Sequence, residues 1–207
     1  MTDKKAHIVN VAIELFSKNG FEGTSMRDLA SAAGVNIAMI NYYFGTKEKL
    51  FETIVESRSN QMRIVLETVV QDEKMTSINK VERMIELQVE KVLERRHFHK
   101  VLQTEVMLNK RPELNAAIGT IFKRNGLLYR AIIEEGYKSG EFKKVDPSLV
   151  VSTIVGTINH IFLSRTICGL VFTPQEGVNP FEDTKIRKKV IDYLKNLMRC
   201  LLLKDND

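Results

Sequence analysis

Thr24-Ser25-Met26-Arg27-Asp28-Leu29-Ala30-Ser31-Ala32-Ala33-Gly34-Val35-Asn36-Ile37-Ala38-Met39-Ile40-Asn41-Tyr42-Tyr43-Phe44-Gly45-Thr46-Lys47 is the stretch whose reading decides the fold. It reads as two short helices meeting at a tight turn. Ser25 can cap the first helix, and Asp28 three places on completes a capping box in which each residue covers an orphan backbone donor of the other. Met26, Leu29, Ala30 and Ala33 recur at helical spacing and form an inward stripe. Gly34 follows, where a turn through a left-handed conformation costs glycine nothing. Val35 fills the corner and Asn36 can cap a second helix. Along that helix Ile40 and Phe44, four residues apart, point inward and leave Ile37, Ala38, Asn41 and Tyr42 outside.

A helix ended by glycine, a short turn and a second helix with a mixed outer face form a helix-turn-helix, whose second helix enters the DNA major groove. The same pattern fits an ordinary helical hairpin in a bundle. A bundle helix of this length, however, would carry Lys and Glu outside, whereas this one exposes Ile, Ala, Asn and Tyr.

Outward from this stretch the pattern stays helical. Residues 4–19 form a first helix with Ile8, Val11, Ala12, Leu15 and Phe16 on one face, ended by Gly20, and Phe21 folds back on it. The core expected for the three helices is Ile8, Ala12, Leu15, Phe16, Phe21, Leu29, Ala30, Val35, Ile40 and Phe44. Gly45 ends the second helix of the motif, and Thr46 caps a long helix that keeps apolar phase to about residue 70. A helix opened by Thr76 or Ser77 runs through Val92, where the basic patch Arg95-Arg96-His97-Phe98-His99-Lys100 breaks the phase; another follows from Val101 to Asn109. Pro112 starts a long helix stopping near Gly140. Asp146-Pro147 begins the next, to about residue 172, and a turn-rich segment from Thr173 to Asn179 leads into a last helix from about Pro180 to Lys204.

The last two helices carry more apolar surface than one face each requires. A helix apolar all round is buried all round, at the centre of its own bundle or under a second subunit. A two-fold contact is the preferred reading, since a palindromic DNA site calls for a symmetric dimer. Ile154, Ile158, Ile161 and Phe162 on one helix, with Leu194, Leu197 and Leu201 on the other, are its expected residues.

The chain has 207 residues and 43% apolar content, enough for one large domain or a small one joined to a medium one. Its net charge of +5 hints only weakly at a polyanionic partner. In residues 1–50 the basic Lys4, Lys5, Lys18, Arg27, Lys47 and Lys49 are nearly matched by Asp3, Glu14, Glu22, Asp28 and Glu48. Cys168 and Cys200 sit in apolar helical patterns, where buried, reduced thiols are expected. No secretory signal precedes the first amphipathic segment. The apolar run Leu149 to Phe172 contains Asn159, His160 and Arg165, which argues for a buried helix over a membrane span. A cytoplasmic protein follows.

With the motif in place, the chain resembles the TetR (tetracycline-repressor-like) family of transcriptional regulators. The resemblance is specific over residues 4 to about 60, where Ala12, Leu15, Phe16, Gly20, Thr24, Ser25, Arg27, Asp28, Leu29, Ala30, Ala33, Gly34, Val35, Tyr43, Phe44, Lys47, Leu50 and Phe51 stand where the family's pattern expects them. It implies an all-α fold with a helix-turn-helix DNA-binding domain over residues 1–50 and an effector-binding and dimerisation domain over 51–207. By position it makes Ile37, Ala38 and Tyr42 candidates for base edges. Asn41 and Tyr43, with Asn36 and with Thr24, Ser25 and Arg27 from the preceding helix, become candidates for the DNA backbone, and Lys47 for a phosphate. Many members have tyrosine where this chain has Asn41, which could bond a phosphate or reach an adenine edge. Ile37 and Ala38 suit thymine methyls, and no arginine is offered to guanine, so A·T-containing half-sites are expected.

The resemblance also implies a homodimer on a palindromic operator, released by a small-molecule effector. Met84, Gln88, Phe98, Gln103, Met107, Phe122, Tyr129 and His160 are the candidate lining of its pocket, and their Met and aromatic content favours a largely apolar effector over a cationic one. Core packing is the plain alternative for each. No cofactor or metal is expected, and no HExxH, nucleophile elbow, phosphate-cradling loop or CxxC motif points to an enzyme. His97 and His99, two apart on a helix, project to different sides. A non-specific architectural DNA binder would carry denser Lys and Arg. A helix-turn-helix protein acting through a protein partner remains a competing reading.

Overall fold

The computed structural model describes residues 3–172 and 179–204. Their regular structure is helical apart from one isolated bridge between Phe142 and Leu203. The helices are α1 (Asp3–Asn19), α2 (Met26–Ala33), α3 (Ile37–Phe44), α4 (Lys47–Gln71), α5 (Ser77–Glu94), α6 (Arg96–Leu108), α7 (Pro112–Lys138), α8 (Pro147–Leu163), α9 (Arg165–Val171) and α10 (Thr184–Leu202). They group into two compact units, residues 1–62 with 97–123, and residues 63–96 with 124–207. The helix-turn-helix unit therefore extends past residue 50 and takes in a second stretch of chain from α6 and α7.

In the first unit the core expected from the sequence is present. Ile8, Ala12, Phe16, Phe21, Leu29, Ala30, Ile40 and Phe44 are buried, and Leu15 and Val35 pack against them half-buried. Phe16 stacks on Phe21 with ring centroids 5.5 Å apart, and Phe51 meets both rings edge-on at 5.3 and 5.2 Å. Such pairs add about 0.5–1.5 kcal/mol each beyond their buried area. Phe98 and Leu102 of α6 and Leu114, Ile118 and Ile121 of α7 belong to the same core.

Backbone geometry fixes the turns. Gly34 closes α2 at φ 62°, its N–H donating to the carbonyls of Ala30 and Ser31. Gly45 follows α3 at φ 75° and ψ −75°, a combination that a side chain would strain severely. At Gly23 the constraint is space: a Cβ there would lie 2.4 Å from the carbonyl oxygen of Asn19.

The second unit is built on α5, which packs against α8 and α10. Ile186, Val190, Leu194, Met198 and Leu202, every fourth residue of α10, form its buried stripe. Beside it Glu82, Glu86 and Glu90 of α5 meet Arg199, Lys195 and Arg187 of α10, which run in the opposite direction. Buried Lys80 donates to the Glu135 carboxylate of α7 at 2.8 Å and to the Val70 carbonyl. Glu141 accepts from the backbone N–H groups of Ser77 and Ile78, closing the first turn of α5. Gly136 leaves room for the buried Phe142 ring, which would sit 2.3 Å from an added Cβ.

Three boundaries differ from the expectation. The basic patch does not separate two helices: only Arg95, at φ −133° and ψ 41°, interrupts them, and α6 begins at Arg96. The expected helix to residue 172 breaks at Ser164, an extended residue whose hydroxyl accepts from the Ile167 N–H and so caps α9. Apolar runs before Ser164 and after Thr166 hid this break from a periodicity reading. The last helix begins at Thr184 because Asp183 caps it, accepting from the N–H groups of Lys185 and Ile186. Of the expected turn-rich segment, residues 173–178 lie outside the described residues. No single helix among the described residues is long and apolar enough to cross a membrane; α8 and α9 reach that composition only as a pair bent by 102°.

Candidate nucleic-acid interface

The presentation of α3 is set by its two ends and its inward anchors. Asn36 is extended, and its Oδ1 accepts from the Ala38 N–H at 2.9 Å. Ile40 and Phe44 are buried, which turns the remaining side chains outward. Tyr42 is 84% exposed and Ile37 37%, and Ala38 and Asn41 are exposed beside them. Tyr43 is half-buried, edge-on to Tyr42 with centroids 5.4 Å apart. Exposed aromatic and aliphatic groups on an eight-residue helix carry an energetic cost in water, and the caps hold them there without help from a partner.

In α2 the capping box is complete. Ser25 Oγ accepts from the Asp28 N–H at 3.1 Å, and Asp28 Oδ2 accepts from the Ser25 N–H at 2.8 Å and from its hydroxyl at 2.6 Å. The Ser25 hydroxyl, then its backbone N–H, hold the Asp28 carboxyl below its usual pKa. Arg27 is exposed in the same first turn. At the other end of α2, His7 Nε2 lies 3.1 Å from the Ala33 carbonyl oxygen, and its tautomer decides whether it donates there.

Two expected phosphate contacts are otherwise engaged. Thr24 is fully buried and its hydroxyl donates to the Gly20 carbonyl at 2.8 Å, so its side chain closes the end of α1 and is withheld from DNA. Lys47 donates from Nζ to the carbonyls of Phe21 and Thr24, both at 2.9 Å, with its ammonium 4.4 Å from the centre of the Phe21 ring. It ties the α1–α2 turn to the start of α4.

Arg111 was invisible to sequence reading. Its guanidinium lies 4.3 Å from the centre of the Phe21 ring, so the ring contacts two cations. It also donates to Glu105 at 2.7 Å and to Glu22, and its Nε is 3.6 Å from Glu48. The Arg111 hydrogen bond holds the Glu22 carboxyl below its ordinary pKa. Glu22 and Arg111 are 89 residues apart in the chain, and no local pattern announces such a pair.

The proposed pocket residues are divided between the units. Phe98 is buried in the core of the first, where Gln103 is half-buried and Met107 and Phe122 are exposed, Met107 at 81%. In the second, Met84 and Tyr129 are buried, the Tyr129 hydroxyl donates to Gln88 Oε1 at 3.2 Å, and His160 is exposed. The dimer expectation needs correcting. Ile154, Ile158, Ile161, Phe162 and Leu194 are buried within their own chain, leaving only half-buried Leu197 and exposed Leu201 of the expected residues for a partner. The outer faces that stay open are those of Leu149, Ser152 and Gly156 on α8, and of Tyr193 beside Leu197 and Leu201 on α10. Cys168 is buried as expected, but Cys200 is exposed on that outer side of α10.

Residues 8–54 match the domain family described as bacterial regulatory proteins, tetR family, and residues 74–163 match a tetracyclin repressor-like C-terminal domain. The probable HTH-type transcriptional regulator YttP of Bacillus subtilis is 32% identical over 142 residues, 67% of each chain. This chain belongs to the TetR family. It is a helix-turn-helix, DNA-binding transcriptional regulator. Solved structures of the same fold include FadR of Bacillus subtilis in complex with stearoyl-CoA, with a TM-score of 0.74 and 22% identity over 91% of this chain and 96% of that one. Another is AibR in complex with isovaleryl coenzyme A and operator DNA, with a TM-score of 0.69 and 16% identity over 94% and 97%.

Proposed function

We propose that this TetR-family chain is a cytoplasmic repressor that reads a palindromic operator as a homodimer through α3 and leaves it when a small molecule binds. The observation that carries the reading is the outer face of α3, where Tyr42, Ile37, Ala38 and Asn41 stand in solvent on a helix capped at its start and anchored by Ile40 and Phe44. Ile37, Ala38 and Tyr42 meet base edges, with thymine methyls the preferred partners of the first two. Ser25, Arg27, Asn36, Asn41 and Tyr43 face the DNA backbone. Lys47 and Thr24 serve by holding the turn from which α2 and α3 are presented.

The dimer forms across the outer faces of α8 and α10, where Leu149, Gly156, Tyr193, Leu197 and Leu201 offer apolar or small surface. Nothing within 4 Å occupies the place of a Cβ at Gly156, so a second helix can approach closely there. The solved structures of the same fold bound to stearoyl-CoA and isovaleryl coenzyme A support an effector that carries an apolar acyl group. Such an effector shifts the operator equilibrium by as much as it prefers the non-binding arrangement, and about 1–3 kcal/mol of coupling suffices for a 5- to 150-fold effect.

The test is a gel-shift series on inverted-repeat duplexes at several salt concentrations. Tyr42→Ala is expected to lose about 1–3 kcal/mol of affinity and to relax sequence preference, whereas Arg27→Ala weakens all duplexes alike and lowers the salt slope by about one. Wild-type behaviour from both variants contradicts the assignment of these faces.

A further inference from the structure

The turn that leads into α2, residues 20–24, is tied down from three directions within the first unit. The Thr24 hydroxyl donates to the Gly20 carbonyl at the end of α1. Lys47, at the start of α4, donates to the Phe21 and Thr24 carbonyls. The third tie is Arg111, in the turn between α6 and α7, which donates to the Glu22 carboxylate and lies against the Phe21 ring. Residues 1–47 make the first two ties themselves. The third comes from chain outside the helix-turn-helix.

Arg111 is itself held in place. Among the described residues, Asn109 is the one non-glycine with a positive φ, 48°. Asn115 Nδ2 locks that turn by donating to Asn109 Oδ1 at 2.7 Å and to the Glu105 carbonyl at 3.3 Å, and Pro112 opens α7 directly after Arg111. A left-handed residue with a side chain persists where its surroundings over-determine it. A guanidinium offers five N–H donors in a planar fork, so one group can answer several acceptors at once. Here Nη1 donates to Glu105, Nη2 to Glu22, and Nε lies 3.6 Å from Glu48 in the first turn of α4. Its position is therefore set jointly by α4, α6 and the α1–α2 turn.

An ion pair with an exposed carboxylate such as Glu22 adds little to global stability. Its consequence is geometric. Ser25, the cap of α2, follows this turn directly, and α3 follows α2 after only Gly34, Val35 and Asn36. A reading surface has to be held to within about 0.5 Å of its productive geometry, so a turn that wanders misplaces every side chain beyond it.

We propose that Arg111 is a positioning residue for DNA reading: from outside the helix-turn-helix it holds the α1–α2 turn, and with it α2 and α3, in the arrangement that fits base edges. This rests on α3 being the reader, and it adds a residue that touches no DNA.

The test measures the affinity of the full chain for the duplex that the wild type selects from a random library, divided by its affinity for a shuffled duplex of the same composition. Arg111→Met alone would strand the Glu105 carboxylate, whose side chain is 8% exposed, so it is paired with Glu105→Gln. The ratio is expected to fall at least about tenfold in Glu105→Gln/Arg111→Met, the size of a lost base contact. Arg111→Lys keeps a cation against Glu105, but one ammonium lacks the fork, and its ratio is expected to fall in the same direction. Partial unfolding lowers both affinities alike and leaves the ratio unmoved. Glu22→Ala should lower the ratio by about threefold in the wild type and add almost nothing in Glu105→Gln/Arg111→Met, because the two residues act through one contact. An unchanged ratio in both Arg111 variants, or a Glu22→Ala effect of equal size in both backgrounds, overturns the proposal. A wild type that selects no duplex sinks the regulator reading and this proposal together, whereas a selective wild type with equally selective Arg111 variants sinks this one alone.

Discussion

α3 and α10 both leave large apolar groups at the surface, and they do so for different reasons. α3 is eight residues long, capped by Asn36, followed by Gly45 and anchored by Ile40 and Phe44, so the direction of Tyr42 follows from residues within a few places of it. α10 has apolar side chains on two adjacent stripes, and packing against α5 selects which stripe is buried. A short capped helix fixes its exposed face by local chemistry, whereas a long, broadly apolar helix leaves that decision to tertiary contacts.

The largest test of this contrast removes a shared anchor. Phe51→Ala deletes the ring that meets Phe16 and Phe21 edge-on, and roughly 3–5 kcal/mol of stability is expected to go with it in a urea titration. On α10 the two stripes should separate cleanly. Leu194→Ala, in the buried stripe, should cost about 2–5 kcal/mol. Tyr193→Glu, at 59% exposure, should leave the unfolding midpoint nearly unchanged while light scattering reports monomers. A dimer that survives Tyr193→Glu and Leu197→Glu together would break the assignment of the outer face.

Smaller effects sharpen the view of the first unit. Lys47→Met strands the carbonyls of Phe21 and Thr24 in part-buried surroundings and should lower stability by about 1–3 kcal/mol. If stability holds and only the salt slope of DNA binding falls by about one, Lys47 is a phosphate contact after all. Ser25→Ala should cost about 1 kcal/mol through loss of the cap. The Asp28 carboxyl, held below its ordinary pKa by Ser25, stabilises the fold above the unfolded-state value of about 4 and loses that contribution as pH falls through the folded one. In acid titrations the gap between wild type and Ser25→Ala should therefore be widest near pH 7 and narrow at low pH without closing, because the bond from the Asp28 N–H to the Ser25 hydroxyl does not titrate.

The fold was legible wherever short-range chemistry decides it. The capping box at Ser25, the left-handed Gly34 and the Asn36 cap were read from neighbouring residues and stand as expected. Misreadings arose where the partner is distant. Thr24 looked like a phosphate ligand until the end of α1 claimed its hydroxyl, and Leu194 looked like an interface residue until α5 covered it. The Arg111 cluster joins Glu22, Glu48 and Glu105 from three stretches of chain, and only the folded first unit brings them together. Ser164-Arg165-Thr166 interrupts an apolar run for only three residues, too little signal to reveal a helix break.

Selection of binding sites from a random duplex library by the full-length chain tests the central claim most directly. The account predicts enrichment of an inverted repeat whose half-sites contain A·T pairs, with centres separated by about one helical turn or a multiple of it, and loss of the half-site preference in Tyr42→Ala. Enrichment of a single unpaired half-site, or the same sequences recovered by Tyr42→Ala, would contradict it.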